Sequence, residues 1–408
     1  MAHSHRLTRR RFLATAAAAS FLAACGSSDD DGDTRPTHTP ASPPGPTEAP
    51  SATPTAPAPS ATPASPSLEE MAGQMLMLGF PGTVLTPDNP IVADIRERHV
   101  GAVILFSQNV ATGGPRNIQS PGQLRELCQA LQDTAGGSLL IATDQEGGVV
   151  ARLGPDHGFP ATRSAAELGA TGDPEVTRAA AAEMADTLAS VGVNFNIAPV
   201  VDVNTNPANP IIGALDRSFS SDPAAVAAHA AAFIEAHHER GILTSLKHFP
   251  GHGSSTGDSH EGFVDVTPTW DPLELEPYRE LVSAGLADTV MVAHVSNSNW
   301  DPEHPASLSP AVIQGMLRND IGFDGAVLSD DMGMGAITGR YSIEESIRLA
   351  IEAGNDILVF GGNLAGTPEG IGARAHAAIV DLVRRGDIAE ERIAESYRRI
   401  SALKARVA

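Results

Sequence analysis

Cations are scarce in this chain: 27 Lys and Arg face 49 Asp and Glu across 408 residues, a net charge of −22. A surface that binds nucleic acid needs a basic patch, so this balance argues against a nucleic-acid partner. Cysteine is nearly absent, with two residues, Cys25 and Cys128, which leaves no disulfide framework and no cysteine-based metal site. Aromatic residues make up 4%. The one strongly apolar run, near the N-terminus, is too short to span a bilayer as a mature helix. Set against these shortages are a 42% hydrophobic content, enough for a sizeable core, and 31 prolines that are unevenly spread.

That unevenness divides the chain into three parts. Residues 1–25 open with Arg9, Arg10, Arg11, Phe12 and Leu13, continue through an alanine-rich run, and end at Leu22-Ala23-Ala24-Cys25. A charged block followed by a short apolar segment is an export signal; the arginines resemble a twin-arginine leader, and the last four residues resemble the lipobox at which bacterial lipoproteins are lipidated on cysteine and cleaved. Residues 26–67 hold 11 of the prolines among Asp, Thr, Ser and Ala. They cannot bury enough apolar surface to order themselves, so a disordered tether is expected, with a reach of at most about 130 Å at ~3.1 Å per residue. The Asp29–Asp33 run lacks the spacing of a calcium loop. Residues 68–408 show no further break and form a single domain.

Within that domain, eight short apolar runs alternate with helical segments: 74–80, 100–106, 139–143, 193–203, 242–247, 290–295, 325–329 and 357–360. Strand alternating with helix implies a parallel sheet, and eight units imply an α/β fold of the (β/α)8 TIM-barrel type. Polar residues cluster where runs end: Asp144 with Glu146, Asp202, Lys247 with His248, His294, and Asp330 with Asp331. Titratable groups at the carboxyl ends of successive strands converge on one face, where barrels keep their chemistry. Cys128, inside a helical segment, reads as a small buried hydrophobe.

Three segments carry a resemblance. Lys247-His248-Phe249-Pro250-Gly251-His252-Gly253 with Asp258-Ser259-His260, Asp144-Gln145-Glu146-Gly147-Gly148 with Arg152, and Ser329-Asp330-Asp331-Met332, together with Arg217, resemble glycoside hydrolase family 3 in its single-domain β-N-acetylglucosaminidase branch. The resemblance implies a retaining exo-β-N-acetylglucosaminidase, working without a cofactor on peptidoglycan or chitin fragments. Asp330 is then the nucleophile, with the structural reading kept for Asp331. His260, paired with Asp258, is the acid/base; Asp144, Arg152, Arg217, Lys247 and His248 bind the sugar hydroxyls. The branch usually carries an acidic or amide residue where Ser254 stands here.

These roles make chemical sense unaided. A retaining glycosidase needs a carboxylate beneath the anomeric carbon and a second group that protonates the leaving oxygen and then activates water. Residues two apart in an extended segment point the same way, so Asp258 can orient the His260 imidazole, and a carboxylate partner fixes its tautomer. Asp202 reads as structural, while Glu146 and His294 stay undecided. A zinc site on His248, His252 and His260 is not expected, because Pro250, Gly251 and Gly253 prevent the helix that such spacing needs. Glycines 251 and 253 suggest a backbone that approaches substrate or turns through positive φ. No GxGxxG dinucleotide fingerprint follows a strand.

Two further readings fit the same residues. A phosphorylase, or a related β-glycosidase, would use the same strand ends, since an uncharged acid/base does not repel phosphate. A catalytically silent sugar-binding lipoprotein would share the leader and tether, but has no need of Asp330, Asp258 and His260. The expected partners are therefore an oligosaccharide and, through lipid on Cys25 alone, the cell membrane. An exported, membrane-anchored location follows.

Overall fold

The structure, a computed structural model, describes residues 65–110, 112–364 and 368–407. The leader with Cys25 and nearly all of the expected tether lie outside them. Five helical segments begin in the same way, with a short polar residue followed by proline: Asn89-Pro90, Ser120-Pro121, Asp173-Pro174, Asp222-Pro223 and Asp271-Pro272. In each, the polar side chain accepts an orphan backbone N–H of the first turn, and the proline occupies a position where no N–H is needed. This explains how a domain with many prolines keeps long helices such as Pro174–Ser190 and Pro223–His238.

Each of the eight apolar runs supplies one strand: β1 (Leu76–Gly79), β2 (Ala102–Leu105), β3 (Leu140–Thr143), β4 (Phe195–Asn196), β5 (Leu243–Phe249), β6 (Thr289–Val292), β7 (Ala326–Asp331) and β8 (Ile357–Phe360). Every strand pairs in parallel with its sequence neighbours, and β1 pairs with β8, so the sheet closes into a barrel wrapped by helices. The run at 193–203 departs most from expectation. Only Phe195 and Asn196 form regular strand; Pro199 has no N–H for the ladder, and beyond it the chain stays beside β5 through the Val201 N–H to Lys247 carbonyl bond of 2.7 Å.

Apolar side chains fill the space inside and behind the sheet. One buried cluster gathers β1–β3 and β8 with the helices over them; another gathers β5–β7 around Leu246, Phe249, Val290 and Val327. Cys128 is buried in the first, and burial pushes its thiol up to about 12, which makes it unreactive. Two strands break register where they leave the barrel: β5 between Leu246 and Phe249, and β7 between Leu328 and Asp331. Such irregularities re-aim side chains. Both fall on residues expected to do chemistry, Lys247 with His248 and Asp330. Among the described residues no helix is long and apolar enough to cross a membrane.

Candidate active site

Parallel strands in a closed barrel end on one face, and there a cavity of about 410 Å³ is lined by Asp144, Glu146, Arg152, Arg217, Lys247, His248, Asp258, His260, Asp330 and Asp331. All eight catalytic and sugar-binding residues expected from the sequence are in that set. The lining residues that sequence reasoning missed include polar Ser107, Gln108 and Asn363 and apolar Phe106, Val110, Ile211 and Leu215. Phe106, which ends the β2 run, carries the guanidinium of Arg152 over its ring at 5.6 Å. Val110 and Ile211 lie in loops and Leu215 in a single 3-10 turn, none with a periodic pattern, so no signal marked them.

The β3 end shows why Asp144 and Arg152 stand eight residues apart. Residues Gln145–Gly147 and Val150–Ala151 form a small antiparallel hairpin that returns the chain to Asp144. Arg152 then reaches its carboxylate, Nη2 to Oδ2 at 3.4 Å, and donates its backbone N–H to the Asp144 carbonyl. The turn needs glycine at 147, where φ is +100° and a Cβ would lie 2.1 Å from the Arg163 carbonyl oxygen. Glu146 emerges as the organiser of the floor. It accepts two bonds from Arg217, at 2.7 and 2.8 Å, and pairs with Lys247 Nζ at 2.6 Å, while Lys247 also donates to Asp144 at 3.0 Å. Burial alone would raise the Glu146 carboxyl, but Arg217 and Lys247 hold it well below the usual range. Arg217 is thus a buried, doubly paired cation that also borders the cavity.

β5 delivers Lys247 and His248, joined by a cis peptide. His248 Nδ1 lies 2.7 Å from Asp202 Oδ2, and its Nε2 lies 3.3 Å from Arg217 Nη2. With both ring nitrogens engaged by protein groups, His248 has none to spare for a metal; among the described residues no group of three or more His, Cys, Asp or Glu is placed to hold one. Of the two expectations for the glycines beyond, the turn through positive φ is met at Gly251. Gly251 has φ +117° and a Cβ there would lie 2.5 Å from Glu274, while one on Gly253 would lie 1.8 Å from the Val203 carbonyl oxygen. Glu274 accepts the Gly253 N–H at 2.8 Å and hydrogen-bonds with Ser254, so an acid from another segment holds the loop. Burial pushes its carboxyl up to about 8.

Asp258 and His260 meet as expected, but not through an extended segment. The stretch is a turn in which Asp258 Oδ1 accepts both the backbone N–H of His260 and its ring Nδ1, each at 2.8 Å. A short carboxylate side chain bonding two residues on makes its own turn, which an alternation argument overlooks. The turn rests on the segment after β7, with Gly335 and Ala336 N–H groups donating to the carbonyls of His260 and Ser259. His260 is half-exposed. Its Nε2 is the nitrogen left for a substrate.

Asp330 ends β7. Burial would raise its carboxyl, but His294, His248 and His260 nearby hold it down at about 2, so it is an anion at neutral pH. His294 supports it from below: Nε2 donates to the Asp331 carbonyl at 3.1 Å, and Nδ1 accepts from Ser307 at 2.6 Å. Asp331 caps no helix. Its Oδ1 accepts the Gly333 N–H at 2.9 Å in the turn after the strand, and burial together with the Asp330 charge raises it to about 6. One anionic carboxylate, one half-exposed imidazole and a paired cation floor are the parts that displacement at an acetal carbon requires.

Comparisons with known proteins point the same way. A match to the glycosyl hydrolase family 3 N-terminal domain spans residues 67–403. A β-hexosaminidase of Xylella fastidiosa strain M23 is 38% identical over 294 residues, covering 70% of this chain and 82% of its own. The β-hexosaminidase LpqI of Mycobacterium tuberculosis is 38% identical over 280 residues, covering 66% and 68%. Among solved structures, a β-N-acetylglucosaminidase from a Paenibacillus species superposes with a TM-score of 0.76 at 35% identity over 84% of this chain, which spans 63% of the length of that one. A β-N-acetylhexosaminidase from Beutenbergia cavernae gives 0.74 at 32%, over 84% of this chain and 99% of its own.

Proposed function

The chain belongs to glycosyl hydrolase family 3, and from that premise we propose that it is a retaining exo-β-N-acetylglucosaminidase that releases terminal N-acetylhexosamine from peptidoglycan or chitin fragments. The observation that carries the reading is the meeting of Asp330 and the Asp258–His260 pair in one cavity floored by Asp144, Arg152, Arg217, Lys247 and His248. Ionised acceptors and fixed cationic donors together recognise a ring of hydroxyls directionally.

Asp330 attacks the anomeric carbon and forms a glycosyl ester, while His260 Nε2, as the imidazolium, gives its proton to the departing oxygen. The imidazole left behind takes a proton from water, which opens the ester and restores Asp330. Asp258 keeps the proton on Nδ1 throughout, so the exchanged proton is the one on Nε2. Export by the arginine leader and a lipid on Cys25 would hold the domain at the outer face of the membrane on its tether. A chromogenic N-acetylglucosaminide assay on the full chain tests the activity, with release of the chromophore and of N-acetylglucosamine of unchanged configuration expected. Inverted product, or none, removes this reading. For the anchor, Cys25→Ser should move the protein from the membrane fraction to the soluble one.

A further inference from the structure

Asp202 lies beyond β4, wholly buried, and its two oxygens divide their work. Oδ1 accepts the backbone N–H groups of His248 at 3.2 Å and His252 at 2.8 Å. Oδ2 faces the His248 ring at 2.7 Å. Despite the burial that would raise it, the Asp202 carboxyl is lowered by His248 and His252, so it is ionised and can only accept. The hydrogen in its contact with His248 must therefore sit on Nδ1.

The far side of the ring gives the same answer independently. Nε2 stands 3.3 Å from Arg217 Nη2, and a guanidinium has hydrogens there and no lone pair to accept with. Arg217 cannot swing away, because Glu146 takes it at two nitrogens and the Ile211 carbonyl takes Nη1 at 2.7 Å. His248 is thus neutral, with Nδ1 protonated and Nε2 bare.

We propose that Asp202 is a positioning residue that fixes His248 in its Nδ1–H tautomer, so that Nε2 accepts from Arg217 and holds that guanidinium at the sugar pocket. The proposal rests on the reading of this cavity as the sugar site. Arg217 lines that pocket, so the tautomer of His248 sets whether the guanidinium finds an acceptor or a second hydrogen beside it.

The split between Oδ1 and Oδ2 makes Asp202→Asn a clean test. The amide oxygen keeps both backbone N–H groups, so the loop stays in place, but the amide nitrogen donates to Nδ1 and drives the ring proton onto Nε2, against Arg217. Nitrogen-15 NMR of the full chain, labelled at histidine, with His248 assigned by loss of its signals in His248→Asn, reads the tautomer directly. Wild type should show protonated Nδ1 and bare Nε2 for His248, and Asp202→Asn the reverse. KM for an N-acetylglucosaminide should rise about tenfold, the worth of one lost hydrogen bond, with kcat changed much less. Asp202→Ala, which releases the loop as well, should lower Tm and kcat besides. A wild-type His248 protonated at Nε2, or an Asp202→Asn variant that retains the wild-type tautomer and KM, overturns the proposal. Should Asp202→Asn fail to fold, the wild-type spectrum alone decides. A wild type inactive toward every N-acetylglucosaminide would instead remove the functional reading and leave the tautomer result standing.

Discussion

His260 with Asp258 and His248 with Asp202 are the same pair of side chains built twice at one cavity. The first sits on a turn, half-exposed, with both contacts made by a carboxylate two residues away. The second joins two barrel segments 46 residues apart, and its aspartate has no exposure at all. The difference lies in what surrounds the second ring nitrogen. Around His248 it is a guanidinium that is itself held by three bonds, so that imidazole has no room to gain a proton. Around His260 it is the open cavity, so the ring is free to give and take one. Identical chemistry thus serves recognition where it is locked and proton transfer where it is loose.

Both pairs face Asp330, and the largest effect should come from removing what they share. Asp330→Asn should keep the fold and sugar binding and lower kcat by several orders of magnitude, because the glycosyl ester cannot form. A mechanism-based fluorosugar followed by peptide mass spectrometry should find its label on Asp330; a label on Asp331 or Glu146 would assign the chemistry elsewhere. Next in size is Asp258→Asn. It leaves the imidazole and an amide oxygen to accept from Nδ1 but removes the negative charge beside the ring, so kcat/KM for a disaccharide should fall by an intermediate amount, less than in His260→Ala. Wild-type activity in Asp258→Asn would mean that Asp258 does nothing beyond shaping the turn.

The smallest effect concerns the support of the locked side. Glu274, wholly buried behind the Gly251–Gly253 loop, has its carboxyl pushed up to about 8 by burial. Between the unfolded value near 4.5 and about 8 the folded chain holds a proton that the unfolded chain releases, so this group costs stability as pH rises through that window. Glu274→Gln cannot ionise. Its stability relative to wild type should therefore improve between pH 5 and pH 7 by about 2–3 kcal/mol, measured by urea unfolding at the two values. A difference that does not change with pH would show that Glu274 is ionised in the folded chain.

Much of this was legible in the sequence because barrels repeat. Eight apolar runs marked eight strands in order, and the polar residues closing five of them marked the catalytic face. The exception, 193–203, has the apolar content of a strand, but a proline within it removes the ladder bond, and apolar content alone does not register that. At the site, the motifs located every polar residue expected to contact sugar. What they did not convey is pairing across segments: Glu146 as the partner of Arg217 and Lys247, Glu274 as the acceptor for Gly253, and Asp202 as the holder of His248. Each of these joins residues 21 to 101 positions apart, and no local pattern records which buried acid meets which donor. The Asp258 turn failed for the opposite reason, being so local that the side chain overrode the strand alternation.

The division of labour between the two pairs is tested most directly by a leaving-group series. N-acetylglucosaminides with aglycones from dinitrophenyl to alkyl would be run on wild type, His260→Ala and Asp202→Asn, with kcat/KM plotted against leaving-group pKa. A dinitrophenolate departs without a proton, whereas an alkoxide does not. His260→Ala should therefore approach wild type with dinitrophenyl and fall progressively behind as the aglycone grows more basic, while Asp202→Asn should lose about the same factor throughout, its plot parallel to wild type. Parallel plots for all three proteins, or a steeper one for Asp202→Asn, would contradict the account.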